Sequence, residues 1–378
     1  ICKLTKAVHS VIIIWYQLDS LGQFANGSYC GNETASDKAM MRKFMVESIE
    51  YWVNEYHLDG FRFDLMGLHD AVTMDSIAKA VKAIDPSIFI YGEGWVAGDS
   101  PLPQNQQANK YNLDQFEMVA AFSDDIRDAI KGHVFTANET GFVGGKTGLA
   151  ESVKFGIIAS TQHPQVDYAK VNYSDAAWAP NPLRTITYTS CHDNFTIWDK
   201  LSLALPDANE AEKMKMQKLA LSMVLTSQGI PFLHAGSEMA RTKQGVENSF
   251  ESPDEINQID WSVKKEQMDL VNYVQQLIAL RKAHPAFRMT TTEDIQKHLE
   301  FLPGDDLLVA YQLKDNANGD EWKDIIVAFN GSTEEKEVAL ENGEWNQVIR
   351  GEHFVNQNVK VSDGKIMVPA RGALIVTR

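Results

Sequence analysis

The sequence predicts an α/β region of parallel strands followed by an antiparallel β-sandwich. Up to about residue 286, short apolar strands alternate with amphipathic helices, which is typical of a parallel α/β architecture. Several strands end in glycine and polar residues, which indicates functional loops on one side of the sheet. From about residue 300, short strands separated by turn clusters indicate a sandwich. We place the boundary near Ala286, which gives domains 1–286 and 287–378.

The early elements follow from apolar spacing. A helix is predicted over 36–56, where Ser36 can serve as the N-cap and Met41, Met45 and Ile49 recur at helical spacing. Gly60 ends this region and the strand FRFD begins. A helix over 74–84 and a strand over 87–94 complete a strand, helix, strand unit.

The later elements are read in the same way. The apolar run VIIIWY predicts one strand at the start of the chain, and we expect other strands at 154–159, 184–190 and 229–236. Helices are predicted over 210–227 and 262–284. In the second domain we predict five strands, with the sequences LLVAYQL, KDIIVAF, VIRGEHF, KIMVPA and ALIVTR.

Composition excludes several classes of partner. The 378 residues include 51 acidic and 35 basic side chains, a formal net charge of −16, so the overall field repels nucleic acid and anionic lipid. VIIIWY is too short to span a membrane. Three scattered cysteines, Cys2, Cys30 and Cys191, indicate neither a disulfide framework nor a zinc site. Cytoplasmic and secreted locations, and the oligomeric state, stay open.

The stretch DGFRFDLMG places opposite charges inside an apparent strand. Because strand side chains alternate, Phe61, Phe63 and Leu65 face one way while Arg62 and Asp64 face the other. If this strand belongs to a barrel of parallel strands, the charged pair would face the barrel axis near the carboxyl end of the strand, where barrel enzymes have their active sites. A structural buried ion pair is the alternative.

Two further carboxylates strengthen the catalytic interpretation. Glu93 follows in YGEGW at the end of the next predicted strand, and Asp193 follows in TSCHDN at the end of a later one. Parallel strands would bring Asp64, Glu93 and Asp193 to one edge. Two carboxyl groups about 5–5.5 Å apart suffice for retaining glycoside hydrolysis.

These three motifs resemble signature regions of the α-amylase superfamily of glycoside hydrolases, glycoside hydrolase family 13. The longer string NGSYCGNETASDKAMMRKFMVESIEYWVNEYHLDGFRFDLMG, together with NSFESPDEINQIDW and LRKAHPAFR, resembles type I pullulanases, the α-1,6 debranching enzymes. The resemblance implies a (β/α)8 TIM-type barrel. The signature that the superfamily carries on its third barrel strand, and the YNWGYDP-type motif of type I pullulanases, have no match in this sequence. We therefore expect a barrel that is incomplete at its N-terminal side.

The resemblance also implies catalytic roles. Asp64 would be the nucleophile, and Arg62 would keep it ionised. Glu93 would act as general acid and then base, which requires a pKa above that of Asp64. Asp193 would hold sugar hydroxyls and favour the distorted ring of the transition state.

Several residues are expected to bind the sugar. They are Arg62, Leu65, Trp95 through ring stacking, His192 as a hydrogen-bond donor, Asn194 through its amide, and Asp254 and Asn257 at outer positions. The alternatives are that Trp95 and His192 are core residues and that Asp254 and Asn257 only shape their loop. Because adjacent strand residues face opposite ways, we expect Cys191 behind the sheet.

The expected function is retaining hydrolysis of α-1,6-glucosidic bonds in pullulan and branched α-glucans, weak or absent in this shortened chain. An α-1,4-acting relative and a non-catalytic α-glucan-binding barrel are the alternatives. No cofactor is required. Ca²⁺ accompanies the superfamily, although no Ca²⁺-loop spacing is visible.

Overall fold

The computed structural model describes residues 15–378, so most of the predicted strand VIIIWY lies outside the described part. The chain divides into two compact units. Among the described residues, the first contains 15–122, 178–180 and 184–186, and the second contains 123–177, 181–183 and 187–378. No helix among the described residues is both long enough and apolar enough to cross a membrane.

The first unit is built around parallel strands. In the order of the sheet, β1 pairs with β2, β2 with β3, and β3 with the first two residues of β4. The alternation of strands and helices confirms the predicted α/β character of this region. Its elements are α1 (Ala39–Tyr56), β1 (Gly60–Phe63), α2 (Ala71–Ile84), β2 (Phe89–Gly92), β3 (Val119–Phe122) and the first two residues of β4 (Thr185–Thr187).

A polar cluster fixes the two helices of the first unit. Asp70 is the N-cap of α2, and its side chain accepts a hydrogen bond from the Thr73 N–H at 3.0 Å. Arg42 of α1 forms an ion pair with Asp70 at 3.1 Å. The predicted capping role of Ser36 is wrong, because Lys38 occupies the N-cap position of α1 and Ser36 Oγ accepts from the Asp70 N–H at 2.9 Å.

The second unit has a helical part and an antiparallel β part. Phe232, next to β5, donates its N–H to the carbonyl of Thr187 at 2.9 Å, and both residues belong to this unit. The helical part and β5 comprise α3 (Asp124–Lys131), α4 (Ala150–Ile157), α5 (Ile197–Ala204), α6 (Glu210–Thr226), β5 (Ile230–Pro231), α7 (Asp254–Asn257), α8 (Met268–Ala283) and α9 (Thr292–His298).

The C-terminal β part has two antiparallel sheets, of six and two strands. The orders are β11-β10-β13-β8-β7-β6 and β12-β9, and both sheets contribute to one apolar core that includes Ala328, Val338, Trp345 and Val368. The predicted antiparallel character is therefore confirmed. The strands are β6 (Leu299–Asp305), β7 (Leu308–Leu313), β8 (Ile325–Asn330), β9 (Lys336–Ala339), β10 (Gly343–Gly351), β11 (His353–Val361), β12 (Lys365–Val368) and β13 (Gly372–Thr377).

Two predicted elements are wrong. Residues 154–159 were expected to form a strand but lie mostly in α4, where Gly156 packs on Ile126 of α3 so closely that an added Cβ would lie 2.3 Å from it. The stretch VIRGEHF is the junction of β10 and β11, with Gly351 at a φ of 65°. The strand β3 was not predicted. The domain boundary near Ala286 stays a prediction.

Candidate functional site

The loop after β1 packs backbone to backbone against the loop after β2. Leu65 has a φ of 39°, and this left-handed residue turns the chain away from the strand direction. The Gly67 N–H lies 3.2 Å from the carbonyl oxygens of both Glu93 and Trp95. A Cβ on Gly67 would lie 2.5 Å from the Trp95 oxygen, so only glycine permits this approach.

Arg62 joins the two carboxylates that the sequence singled out in this unit. Its Nη1 forms an ion pair with Asp64 Oδ1, and its Nη2 lies 2.7 Å from Glu93 Oε1. The second Glu93 oxygen accepts the Leu65 N–H at 2.9 Å. The side chains of Arg62, Glu93 and Asp64 are 24%, 9% and 73% exposed, so a buried acid and a solvent-facing acid share one guanidinium.

This arrangement suits two distinct roles. The exposed Asp64 carboxylate, held by the guanidinium of Arg62, can contact a ligand from solvent. Glu93 is held at both oxygens and is buried, which fixes its orientation. The alternative of a purely structural ion pair stays open for this geometry.

His69 lies beside this cluster and was not singled out from the sequence. Burial lowers its pKa to about 4, an effect that the charges of Asp70 and Asp64 partly oppose. The ring is therefore neutral at pH 7. Its edge faces Phe63, with ring centroids 6.1 Å apart. The sequence signal that could have identified His69 is its position, three residues after Met66 at the end of DGFRFDLM.

In the second unit, His192 and Asp193 lie side by side in the loop after β4. His192 Nε2 is 3.5 Å from Asp193 Oδ2, and the two side chains are 63% and 47% exposed. His192 is thus not a core residue. Asn194 has a φ of 58°, a left-handed conformation that asparagine tolerates well.

The expectation for Cys191 is wrong. Its sulfur lies within 4.8 Å of ligand atoms of both His192 and Asp193, because β4 ends at Thr187 and strand alternation no longer applies. Burial raises the pKa of the Cys191 thiol. Among residues 15–378, Cys191, His192 and Asp193 form a cluster of potential metal ligands. Ca²⁺ prefers oxygen ligands, so the sulfur of Cys191 and the ring nitrogen of His192 do not suit it. A calcium site stays a prediction.

Two buried lysines anchor this loop. The Nζ of Lys243 donates to the carbonyls of His192 at 3.0 Å and Glu247 at 3.1 Å. The Nζ of Lys131 donates to the Phe195 carbonyl at 3.1 Å. Burial lowers the pKa of both lysines, that of Lys131 to about 7. Neither lysine was predicted, because their partners are 51 and 64 residues away.

The outer candidates have local partners. The Asn257 amide donates to the carbonyls of Ser249 at 2.6 Å and Ser252 at 2.9 Å, which fits the alternative that it shapes its loop. Asp254 begins α7 and is exposed. Trp95, in the first unit, is half-buried. Sugar binding by Asp254, Asn257 and Trp95 stays a prediction.

Parallel strands with charged residues at their carboxyl ends, followed along the chain by antiparallel sheets, define the class: an α/β protein with a C-terminal antiparallel β part. A family model described as the pullulanase all-beta domain matches residues 295–353. Pullulanase of Bacillus subtilis is 42% identical over 328 residues, which cover 87% of this chain and 44% of that protein.

Solved structures agree. The pullulanase from Bacillus acidopullulyticus superposes with a TM-score of 0.89 at 40% identity, covering 96% of this chain and 43% of its own. The type I pullulanase of Bacillus subtilis in complex with maltose superposes with a TM-score of 0.90 at 39% identity, and the match covers 96% of this chain and 50% of that chain. The chain spans about half the length of these relatives. It is a homologue of the C-terminal portion of type I pullulanases.

Proposed function

We propose that the chain carries the catalytic carboxylates of a retaining hydrolase that acts on α-1,6 bonds in pullulan and branched α-glucans. The parallel strands would belong to a (β/α)8 barrel that is incomplete at its N-terminal side. Support comes from the homology and from relatives solved with maltose, maltotriose and maltotetraose. The observation that carries the proposal is the contact of Arg62 with both Asp64 and Glu93.

The reaction would use the two carboxyl groups in turn. An oxygen of Asp64 attacks the anomeric carbon while Glu93 gives its proton to the departing glycosidic oxygen, and a covalent glycosyl ester forms. Glu93, now ionised, then takes a proton from water, whose oxygen attacks the same carbon and releases Asp64. Both carboxyl groups return to their starting states.

Arg62 adds a requirement to this scheme. A guanidinium 2.7 Å from Glu93 favours the ionised acid, whereas the first step needs Glu93 protonated. We therefore propose that substrate binding leaves Arg62 with Asp64 and frees Glu93 to hold its proton. The roles of Asp193, His192 and Asn194 in sugar binding rest on the resemblance and stay predictions.

A trapping experiment tests the nucleophile even if turnover is slow. A 5-fluoro-α-glycosyl fluoride of a maltooligosaccharide should leave one glycosyl group on Asp64, located by peptide mass spectrometry. The label should be lost in Asp64→Asn and kept in Asp59→Asn, a matched control on an exposed aspartate before β1. A label on another residue, or none in a chain that hydrolyses steadily, would refute the role of Asp64.

Product analysis tests the substrate. We expect the purified chain to release little maltotriose from pullulan, because it spans only about half of its relatives. Steady release would overturn that expectation. Faster hydrolysis of amylose than of pullulan would support the α-1,4 alternative. Retention by pullulan in affinity electrophoresis, with neither turnover nor label, would support the non-catalytic glucan-binding alternative.

A further inference from the structure

A cavity in the C-terminal β part of the second unit is distinct from the residues discussed above. Its volume is about 370 Å³, within the range of pockets that hold small organic molecules. Four segments line it: α6 through Lys215, the turn before β9 through Glu335, the junction of β10 and β11 through Arg350 and His353, and the turn before β13 through Arg371. We call it the basic cavity.

The charges around the basic cavity do not cancel. The acidic residues in its lining are Glu335 and Glu352. Glu335 forms an ion pair with Arg350 at 3.4 Å, and Glu352 lies 3.9 Å from the buried Lys218. Arg350 lines the cavity as well, and the nearer partner of Lys218 is Asp269 at 2.5 Å. The lining therefore has three cations, Lys215, Arg350 and Arg371, against these two carboxylates, and one positive charge remains in excess.

Lys215 and Arg371 have no such match. Within residues 15–378, neither side chain forms an ion pair with a carboxylate. Arg371 Nη1 donates to the Met216 sulfur at 3.4 Å, a weak acceptor, and Arg371 Nε is buried without a hydrogen-bond partner in that part of the chain. The Nε–H of this half-buried guanidinium therefore lacks an acceptor among the described residues, and an anion in the cavity would supply one.

The backbone at Arg371 gives a second observation. Its φ is 47°, a left-handed conformation that a long side chain adopts at a cost. The Arg371 N–H donates to the Ser332 carbonyl at 2.9 Å, which helps to hold that conformation. Such a strained residue in a cavity wall indicates that the direction of its side chain matters.

We propose that the basic cavity binds the phosphate group of a small sugar phosphate. The fork of N–H groups on Arg371 matches the oxygens of a phosphate, and the Lys215 ammonium supplies a second positive charge. Val355 and Pro369 give the cavity an apolar wall against which the carbon part of the ligand packs. This site is independent of the proposed hydrolase activity.

Isothermal titration calorimetry on the purified chain tests the proposal, with glucose 1-phosphate, inorganic phosphate and glucose as probes. We expect saturable binding of glucose 1-phosphate, weaker binding of phosphate, and none of glucose. Lys215→Gln should weaken binding by at least about tenfold, because a charge-assisted contact is lost. Lys213→Gln, a lysine on α6 outside the lining, is the matched control and should change the affinity by less than about twofold.

Arg371→Gln should weaken binding as strongly as Lys215→Gln. If Arg371→Gln does not fold, Lys215→Gln alone decides, because that side chain lies on a helix surface. Three results would overturn the proposal. They are the absence of saturable binding by the wild-type chain, equal affinity for glucose 1-phosphate and inorganic phosphate, and equal weakening by Lys213→Gln and Lys215→Gln.

Discussion

Replacing Arg62 with methionine removes a positive charge that contacts both Asp64 and Glu93 while keeping most of the side-chain volume. Breaking a fully buried ion pair costs about 3–5 kcal/mol. Arg62 is 24% exposed, and Glu93 keeps its hydrogen bond from the Leu65 N–H. We therefore expect the free energy of unfolding to fall by about 2 kcal/mol.

The structure also predicts how this loss divides between the two acids. Glu93 is buried, so its coupling to Arg62 should be about 1.5–2 kcal/mol. Asp64 is 73% exposed, and an exposed pair contributes about 0–1 kcal/mol, so its coupling should lie below about 0.5 kcal/mol. Glu93→Gln should thus restore much of the stability of Arg62→Met, whereas Asp64→Asn should restore little.

Urea denaturation of the single and double variants, followed by circular dichroism, measures both couplings. The comparison requires equal slopes against urea concentration, so that differences in midpoint report stability. A coupling of Arg62 to Asp64 that equals or exceeds its coupling to Glu93 would refute the reasoning from burial. So would a stability of Arg62→Met equal to that of the wild-type chain.

Three other substitutions test separate parts of the structure. Gly67→Ala should lower the free energy of unfolding by about 1–3 kcal/mol, because its Cβ would lie 2.5 Å from the Trp95 oxygen; an unchanged urea midpoint would contradict this close approach. Asn330→Leu should lower the free energy of unfolding by about 2–4 kcal/mol, because the buried Asn330 amide donates to the carbonyls of Glu334, Val368 and Pro369. Thermal unfolding measures this loss, and a loss below about 1 kcal/mol would count against the prediction. Burial lowers the pKa of His69 to about 4, below its unfolded value of about 6.5, so unfolding takes up a proton between these pH values and stability falls as the pH drops through that window. His69→Gln should flatten this dependence of the urea midpoint on pH, and an unaltered slope would exclude His69 as its source.

The sequence predicted that Arg62 accompanies Asp64 and that Glu93 lies near them, because the signals for these strand ends are local; the contact of Arg62 with Glu93 was not predicted. Short apolar strands bounded by Gly60 and Gly94 place the charged residues at strand ends, and the structure joins Arg62 to both acids. The antiparallel strands after residue 300 were predicted for the same reason, since turn clusters separate their apolar runs. Whether these acids catalyse hydrolysis stays a prediction.

Other features depend on distant partners. Val119–Phe122 includes two alanines and has little intrinsic strand preference, so β3 forms through pairing with its neighbours β2 and β4. The apolar run at 154–159 fits a strand or a buried helix equally well. Lys131 and Lys243 carry no local sign that their ammonium groups bind carbonyls far along the chain.

The packing of Gly156 on Ile126 limits how this protein can be engineered. Exchanging a helical glycine for alanine is an ordinary way to raise thermostability, because the unfolded chain loses freedom. In α4 that route is closed, since the added methyl would meet Ile126 at 2.3 Å and push the two helices apart. A mutational library at this position would retain glycine almost alone unless a smaller residue at 126 were selected together with it.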